Sequence, residues 1–504
     1  GLIQITTDGG ETWQRTEVGR LPGVPDRAYV NDFEPSLHEA GTVFIALDNH
    51  KYGDFAPYLL RSDNYGRSWR SITDGLPEDE QVWRIAQDHV NPDLVFVGTE
   101  FGVYFTIDGG ENWTQLEAGI PTISARDLQI QRRENDLVVA TFGRGIYILD
   151  DYSPLREITP EMMENGTALF PVRRAWWYQE QHPLGFDSGH WQGHGYFTAE
   201  NPPFGAVFTY YMSEALQTSE EIRQEAERPL VEEGEDTPFP GFDVIEGERR
   251  EAPPRMWLVV RDDEGRVVRR LQGPVAAGFH RVNWDLSFPG YSPVMQQEDA
   301  ENAPSGYLVA PGTYSVTLVR QYQGETEVIG EAREFEVERM YEGALPGSPN
   351  DEVAAFWERL ATLQRSVSAS TSAIGLTRER LNRLESALYR SRTAPGELDA
   401  RYEALRQELF AIEEALTGNQ SSNGQYGAEP STVTSRIGFA ETGTAYATYG
   451  PNPAHERQLG LAETEYADIR QRLDTLIQER IPAFEAALDE AGAPWTPTRM
   501  LPPL

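Results

Sequence analysis

The chain has 504 residues, of which 39% are hydrophobic, and its 80 Asp and Glu residues outnumber 43 Lys and Arg residues to give a net charge of −37. This length predicts about three domains, and so acidic a composition argues against nucleic acid as a partner. The absence of cysteine excludes disulfides, thiol catalysis and zinc–thiolate sites, and no apolar run is long enough to predict a membrane-spanning helix.

A short motif recurs three times near the start of the chain. Aligning its tryptophans gives TTDGGETW at 6–13, SDNYGRSW at 62–69 and TIDGGENW at 106–113, with tryptophans 56 and 44 residues apart. This spacing is typical of four-stranded propeller blades. Each copy lies between strand-like runs, which predicts a hairpin turn: Asp or Asn accepts backbone amides, Gly adopts a positive φ and Trp fills the space between strands. The positions are Asp8, Gly10, Trp13, Asn64, Gly66, Trp69, Asp108, Gly110 and Trp113.

Further strand-like runs make residues 1–156 part of a propeller. They are TVFIALD (42–48), VWRIAQD (82–88), DLVFVGTE (93–100), RDLQIQ (126–131), DLVVATF (136–142) and GIYILDD (145–151). Together they predict half a blade, two full blades and a closing segment, whereas a closed propeller needs at least four blades. We therefore expect the missing blades to lie upstream in the same gene product or to come from another chain. Gly1 would then begin a processed, truncated or partly observed product.

Two further regions follow the propeller. Short strands with regular turns, such as RMWLVVRDDEGRVVRRLQG (255–273), predict an immunoglobulin-like β-sandwich over 157–343. An acidic stretch at about 214–254 predicts a mobile insertion with one short helix. Residues 344–504 predict an α-helical domain, a bundle or long hairpin. Its separate helices are expected near 351–367, 378–390, 397–416 and 459–477, with a long polar loop at about 417–453.

The repeats and the runs DNHKYGDFAPYLLRSDNYGRSW (48–69), VGTEFGVYFTIDGGENWTQL (97–116) and RDLQIQRRENDLVVATFGRGIYILDDYSPLRE (126–157) carry a family resemblance. They resemble the closing blades of bacterial sortilin-like, Asp-box (BNR-type) propeller proteins, which are exported and often labelled glycosyl hydrolases. The resemblance implies further upstream blades, a sandwich after the propeller and a helical C-terminal end. Eukaryotic sortilins carry a cysteine-rich module at this point. The chain has no cysteine, so receptor-style trafficking is not implied.

The Asp-box carboxylates invite a catalytic interpretation, but their place in hairpin turns favours a structural role. Asn64 supports that role, because an amide keeps the hydrogen-bond acceptor and discards the charge. A glycoside hydrolase needs two carboxyl groups roughly 5–10 Å apart across a cleft. Asp48, Asp54 and Glu100 are the candidates, since they stand at strand ends in the runs that match the family.

A glycine-rich loop offers a second candidate site. Asp187, His190, His194 and Glu200 place two imidazoles and two carboxylates within fourteen residues, a set that could hold a structural divalent cation. The alternative is an ordered surface loop, because the intervening glycines oppose a helix that would bring the ligands to one face. No phosphate-loop, dinucleotide or other cofactor motif is present.

The sequence thus predicts an exported bacterial protein, extracellular, periplasmic or at the cell surface, that binds a protein or glycan partner through its propeller and sandwich. The alternatives are a secreted glycoside hydrolase and a subunit of a larger surface assembly. An acidic and aromatic groove across the propeller face would favour the hydrolase. A face without such a groove, together with a large buried interface, would favour a scaffold.

Overall fold

The computed structural model describes residues 1–117, 119–178, 201–295, 304–341, 343, 346–419, 421, 431–445, 449–497, 499 and 501. It confirms the predicted fold class, which is mainly β with an α-helical C-terminal region. Part of a β-propeller is followed by a two-sheet immunoglobulin-like sandwich and then by packed helices. No helix in the described part of the chain combines the length and hydropathy needed to cross a lipid bilayer.

Four antiparallel sheets form the propeller part, and we number them as blades in chain order. The first blade has two strands, the second and third have four each, and the described part of the fourth has three. Within each blade, neighbouring strands are consecutive in sequence, as in a propeller built from successive hairpins. The strands are β1 (Leu2–Ile5), β2 (Gln14–Glu17), β3 (Tyr29–Pro35), β4 (Val43–Asn49), β5 (Asp54–Ser62), β6 (Arg70–Ser71), β7 (Val82–Gln87), β8 (Val95–Thr99), β9 (Val103–Thr106), β10 (Thr114–Gln115), β11 (Ala125–Gln131), β12 (Asp136–Thr141) and β13 (Ile146–Leu149).

The middle strands of the blades are apolar without alternation because both of their faces are covered. In β4, Phe44 and Ala46 belong to the core shared with the third blade, whereas Ile45 and Leu47 belong to the core shared with the first. Successive side chains of a strand point to opposite faces of its sheet. The second and third blades each contribute to two inter-blade cores, which explains the run TVFIALD.

The innermost strand of the second blade, β3, is not indicated by the sequence patterns, because its sequence YVNDFEP is largely polar. Its buried Asp32 accepts hydrogen bonds from Arg84 Nη1 at 2.9 Å and from the Ile85 amide at 2.8 Å. Arg84 Nε also lies 2.9 Å from Asp127 Oδ1. Since these residues belong to the first strands of three successive blades, ionic contacts connect the inner edge of the propeller.

In the described residues, ten strands build the sandwich. Its two main sheets have three and five strands, all antiparallel except for one parallel pair between the second and the last strand. Phe208, Trp284 and Phe335 meet in its core with ring centroids 5.6 to 6.2 Å apart. The strands are β14 (Thr167–Leu169), β15 (Ala175–Trp177), β16 (Ala206–Met212), β17 (Arg255–Asp262), β18 (Val267–Gly273), β19 (Gly278–Trp284), β20 (Ser287–Pro289), β21 (Ser305–Leu308), β22 (Gly312–Tyr322) and β23 (Glu325–Arg339). The sheets have the orders β14–β16–β19, β15–β23–β22–β17–β18 and β20–β21.

In the C-terminal region, the helices differ from the expectation in two places. The first two helices expected in the C-terminal region are one continuous 40-residue helix, because the segment between them contains no proline and its buried Ser370 and Ile374 continue the packed face. The loop expected at about 417–453 contains a helix whose small buried residues gave a weak apolar signal. The helices are α1 (Pro160–Asn165), α2 (Ser219–Glu233), α3 (Phe242–Arg250), α4 (Asn350–Tyr389), α5 (Glu397–Thr417), α6 (Val433–Ala445), α7 (Pro453–Thr475) and α8 (Ile481–Glu490), with a π-helical turn joining the last two.

The acidic insertion contains two helices, α2 and α3, where the sequence predicted one. Thr218 and Glu221 form a capping box that starts α2. Arg223 then joins the two helices, since it donates to both carboxylate oxygens of Glu248 at 2.7 and 2.8 Å. Neither helix has a buried residue, which explains why hydrophobic periodicity did not reveal them.

The sandwich and the C-terminal helices share one hydrophobic core. Buried residues of both sheets and of α4 to α8 form a single contiguous cluster. At the junction the ring of Tyr307 stacks on that of Trp357, with centroids 6.2 Å apart, and its hydroxyl hydrogen-bonds Gln364 of α4. The blades, in contrast, have cores of their own.

Candidate ligand-binding groove

A groove of about 330 Å³ lies at one end of the second, third and fourth blades. Its residues belong to the connections between the second and third strands of a blade, or lie close to the start of a strand. The Asp-box turns connect the third and fourth strands, so they lie at the opposite end of each blade. The groove is lined by His50, Phe55, Asp79, Gln81, Trp83, Glu100, Phe101 and Arg126.

Two β-bulges bring Trp83 and Arg126 into the groove. The pairing of β7 with β8 shifts register between the residues on either side of Trp83, and the pairing of β11 with β12 shifts in the same way around Arg126. The second blade has an equivalent shift at Asn31 in β3. A bulge re-aims the side chain of the extra residue and is frequent beside functional sites. The same irregularity thus occurs at the same end of the first strand in three successive blades.

The centre of the groove is a stack of charged and aromatic side chains. The guanidinium carbon of Arg126 lies 3.7 Å from the centroid of the Trp83 ring, close enough for a cation–π interaction. Glu100 Oε2 accepts three hydrogen bonds, from Trp83 Nε1 at 2.8 Å, Ser124 Oγ at 3.0 Å and Arg126 Nη2 at 3.3 Å. The rings of His50 and Trp83 meet in a T-shaped arrangement, with their centroids 5.7 Å apart. These contacts hold the wall of the groove in a fixed arrangement.

Hydrogen bonds to the Glu80 carboxylate fix the loop that carries Glu100 and Phe101. This buried carboxylate accepts the Phe101 amide at 3.0 Å through Oε1, which also accepts the Thr99 hydroxyl. Burial raises the pKa of Glu80, and the charges of Asp79 and Glu100 add to that effect, although the two hydrogen bonds oppose it. A buried acidic anchor therefore sets the position of the exposed Phe101 ring.

Exposed aromatic rings surround the groove, which is unusual because large apolar side chains are mostly buried. Lys51 Nζ lies 4.4 Å from the Tyr29 ring centroid, and the guanidinium carbon of Arg27 lies 5.6 Å from that of Tyr52. The surface thus alternates apolar rings with cations on a protein that is otherwise strongly acidic. The exposed rings are Tyr29, Tyr52, Phe55, Phe101 and Phe142.

Of the three carboxylates suggested by the sequence, the structure places only Glu100 in the wall of the groove. Asp48 is buried behind it and contacts His50, whose amide donates to Asp48 Oδ1 at 3.3 Å. Asp54 accepts hydrogen bonds from Asn49 at 2.9 Å and Tyr58 at 2.8 Å. These bonds outweigh the effect of burial and lower the pKa of Asp54, while burial and the bond to Asp54 raise the pKa of Tyr58 to about 12. The three carboxylates therefore do not form one cluster.

The Asp-box side chains are occupied within their own turns. Asp8 accepts the Thr12 amide at 2.9 Å, Asn64 accepts the Ser68 amide at 2.9 Å, and Asp108 accepts the amides of residues 111 and 112. Hydrogen bonds from Thr12 and Thr6 lower the pKa of Asp8 from 3.8 to about 2. For Asp108, bonds from Thr106 and Asn112 outweigh burial and also lower the pKa. In each turn the acceptor stabilises the backbone rather than facing the groove.

The proposed metal ligands Asp187, His190, His194 and Glu200 lie outside the described residues. Within the described ranges, no group of three or more His, Asp or Glu side chains has an arrangement suited to a metal ion.

Sequence reasoning missed His50, Trp83 and Arg126, because it searched for carboxylates. A usable signal was present in the repeat itself. When the first strands are aligned, Asn31, Trp83 and Arg126 fall at one position, each followed by a charged residue. The residue type at this position differs from blade to blade. Such variation is expected of a surface position rather than of a core position.

We compared the chain with known proteins. No protein-family model and no curated protein sequence matches it. Among solved structures, YCF48 bound to a D1 peptide aligns over 30% of this chain and 45% of its own, with 19% identity and a TM-score of 0.23. An ancestral GH74 enzyme aligns over 65% of this chain and 45% of its own, with 12% identity and a TM-score of 0.25. The GH74 xyloglucanase from Xanthomonas campestris aligns over 59% of this chain and 38% of its own, with 12% identity and a TM-score of 0.20. The alignments thus cover less than half the length of each of these three structures.

Proposed function

We propose that this chain is the ligand-binding part of an exported or cell-surface bacterial protein, and that the groove at the bulged end of the blades engages a glycan or protein partner. The observation that carries the proposal is the stack of Arg126 on Trp83, fixed by Glu100 and surrounded by exposed rings. Tryptophan, tyrosine and arginine are the residues that dominate binding hot spots.

The size and chemistry of the groove favour a glycan. Its volume of about 330 Å³ is near the lower end of the range for small-molecule sites, so it suits a compact group rather than a broad protein surface. The flat faces of Phe55 and Phe101 offer apolar contact, while Asp79, Gln81 and Arg126 offer acceptors and donors for hydroxyl groups. A protein partner would use the same groove for a single anchoring side chain.

Hydrolysis is the second candidate, because the groove combines acidic and aromatic side chains as a hydrolase would require. Its two carboxyl groups are those of Glu100 and Asp79. Glu100 Oε2 already accepts three hydrogen bonds, whereas Asp79 is exposed. Glu80, the nearby acid with a raised pKa, is buried and faces the loop backbone. These positions favour binding over catalysis.

The test is a screen of the chain against an array of oligosaccharides and peptides, followed by calorimetric titration of the bound compounds. Phe101→Ala should weaken binding roughly two- to twelvefold, since one aromatic contact contributes about 0.5–1.5 kcal/mol. Phe410→Ala is a matched control, because Phe410 on α5 is 44% exposed and Phe101 is 45% exposed. Glu100→Gln should slow the release of reducing ends only if the protein is a hydrolase. Binding that is equally strong in Phe101→Ala, or no saturable ligand at all, would contradict the proposal.

A further inference from the structure

In the part of the chain that the structure describes, the fourth blade has no outer strand like those of the two preceding blades. The second and third blades each end in a short fourth strand, β6 and β10, whereas the described sheet of the fourth blade ends at β13. Among the strands that the structure describes, β13 pairs only with β12. Its Ile146 and Ile148 are 67% and 59% exposed. An exposed apolar edge strand is a template for pairing with another strand.

In the third blade, the outer strand segment fills the space beside the second blade. Trp113, next to β10, is buried against the second blade and donates from Nε1 to the Ile72 carbonyl at 2.7 Å. Three residues later, the Leu116 amide donates to the Val103 carbonyl at 2.8 Å and extends the pairing with β9. The Trp113 ring thus closes the gap between these two blades, whereas Leu116 packs against the core shared by the third and fourth blades.

The corresponding gap between the third and fourth blades is a cavity of about 660 Å³. Phe105, Ile107 and Leu116 of the third blade line it, with Leu149 of β13 on the opposite wall and Phe279 of the sandwich beside them. This volume lies within the range of protein sites that hold ligands. The cavity adjoins the end of β13, where a fourth strand of this blade would pack.

The charges around the cavity indicate the kind of segment that would fit. Its lining includes three carboxyl groups, those of Asp108, Glu117 and Asp151, and one cation, Arg281. Arg281 Nη1 already donates to the carbonyl oxygen of Asp150 at 2.8 Å. Since like charges are costly when they are brought together, a strand with basic residues beside its apolar ones is favoured.

We propose that β13 and this cavity form an acceptor for an extended peptide strand that carries apolar side chains flanked by basic residues. The strand pairs antiparallel with β13 as the fourth strand of the blade and inserts a large side chain into the cavity. Addition of a strand to a free sheet edge gives affinity through backbone hydrogen bonds and specificity through side-chain pockets. The proposal is independent of the groove, which lies at the blade end formed by the second-to-third strand connections.

The chain itself contains a suitable probe. Residues 67–73, RSWRSIT, include the outer strand of the second blade, with Trp69 and Ile72 in the places of Trp113 and Leu116. Because the chain has no cysteine, Arg144→Cys creates a unique attachment point at the exposed tip of the β12–β13 hairpin. An antiparallel fourth strand would end near this tip, so the peptide is attached by a cysteine at its C-terminus through a short glycine linker. A short tether gives a millimolar effective concentration, so that even a weakly binding peptide would occupy the site and be detected.

The measurement is hydrogen exchange of the segment 144–152, compared with that of RSSRSST tethered in the same way. We expect RSWRSIT to slow exchange in this segment at least tenfold and RSSRSST to leave it near the rate of the unmodified Arg144→Cys protein. Equal rates with the two peptides would overturn the proposal, as would a segment that RSWRSIT leaves unprotected. Exchange of α7 serves as the internal check that Arg144→Cys is folded.

Discussion

Replacing Arg156 by methionine should loosen the third and fourth blades far more than the loss of an ordinary ion pair would. Arg156 follows the last blade and donates to Asp88 through Nε at 2.9 Å and Nη2 at 2.8 Å. Asp88 follows β7 and is 0% exposed. Removing one partner of a buried pair leaves an uncompensated charge and costs about 3–5 kcal/mol. We therefore expect local opening of these blades to become easier by that amount.

The remaining partners of Asp88 limit the loss but do not remove it. Tyr152 and the amides of Val90 and Asn91 still donate to its carboxylate. Burial raises the pKa of Asp88, but the bonds from Arg156, Asn91 and Tyr152 outweigh it and hold the pKa below 3.8. A carboxyl group with a lowered pKa stabilises the fold above its unfolded pKa, and this contribution is lost as pH falls through the folded value. The effect of Arg156→Met should therefore be largest near neutral pH and shrink in acid.

Native-state hydrogen exchange with mass spectrometry measures this effect blade by blade. A change of about 3–5 kcal/mol corresponds to roughly 150- to 5,000-fold faster exchange in β8 and β12. Arg359→Met is the matched control, because Arg359 pairs with Glu456 and Glu463 at the surface of the helices. Exposed pairs contribute about 1 kcal/mol or less. An Arg156→Met effect no larger than that of Arg359→Met would refute the role assigned to Asp88.

Three further predictions concern the Asp-box turns and the groove loop. Gly66→Ala should lower the thermal midpoint more than Gly9→Ala. Both glycines have a positive φ, but of the two only Gly66 has a neighbour that a Cβ atom would meet, Ile5 Cδ1 at 2.1 Å. Equal midpoints for the two variants would contradict this. Asp108→Ala should destabilise its turn by about 1–2 kcal/mol in denaturant titrations, whereas Asp108→Asn, which keeps the acceptor, should cost less than half as much. Since burial raises the pKa of Glu80, the loop that it holds should gain stability as pH falls through that raised value and lose it as pH rises. Glu80→Gln should remove this pH dependence from the exchange of the loop amides, and an unchanged profile would show that another group causes it.

Regular repetition explains how much of the fold could be predicted. The Asp-box copies fixed the blade period, and the continuous apolar runs located the middle strands. The inner strand β3 was not predicted, because its buried Asp32 pairs with Arg84, a partner 52 residues away that no local pattern shows. Helix α6 was not predicted either, because its buried positions include Ala440 and Thr444, which add little to a hydrophobic pattern.

The candidate site was harder to predict because its geometry depends on contacts between blades. Glu100 was selected only for its place at a strand end, and nothing local reveals that its partners are Trp83 and Arg126. A bulge depends on how two strands pair, so it cannot be recognised in one strand alone. Asp48 and Asp54 were chosen by the same rule as Glu100, but strand position does not distinguish a buried carboxylate from one that faces the groove.

The core shared by the sandwich and the C-terminal helices has a mechanical consequence. Tyr307 and Trp357 connect the two regions through packed rings, and α4 continues from Trp357 to Tyr389, a length of about 48 Å at 1.5 Å per residue. A load applied to the far end of the helices would reach the sandwich without first separating the two regions. The blades are joined by separate cores and would be the first to part. We therefore expect the sandwich and the C-terminal helices to behave as one rigid unit under load, and the blades to separate more easily.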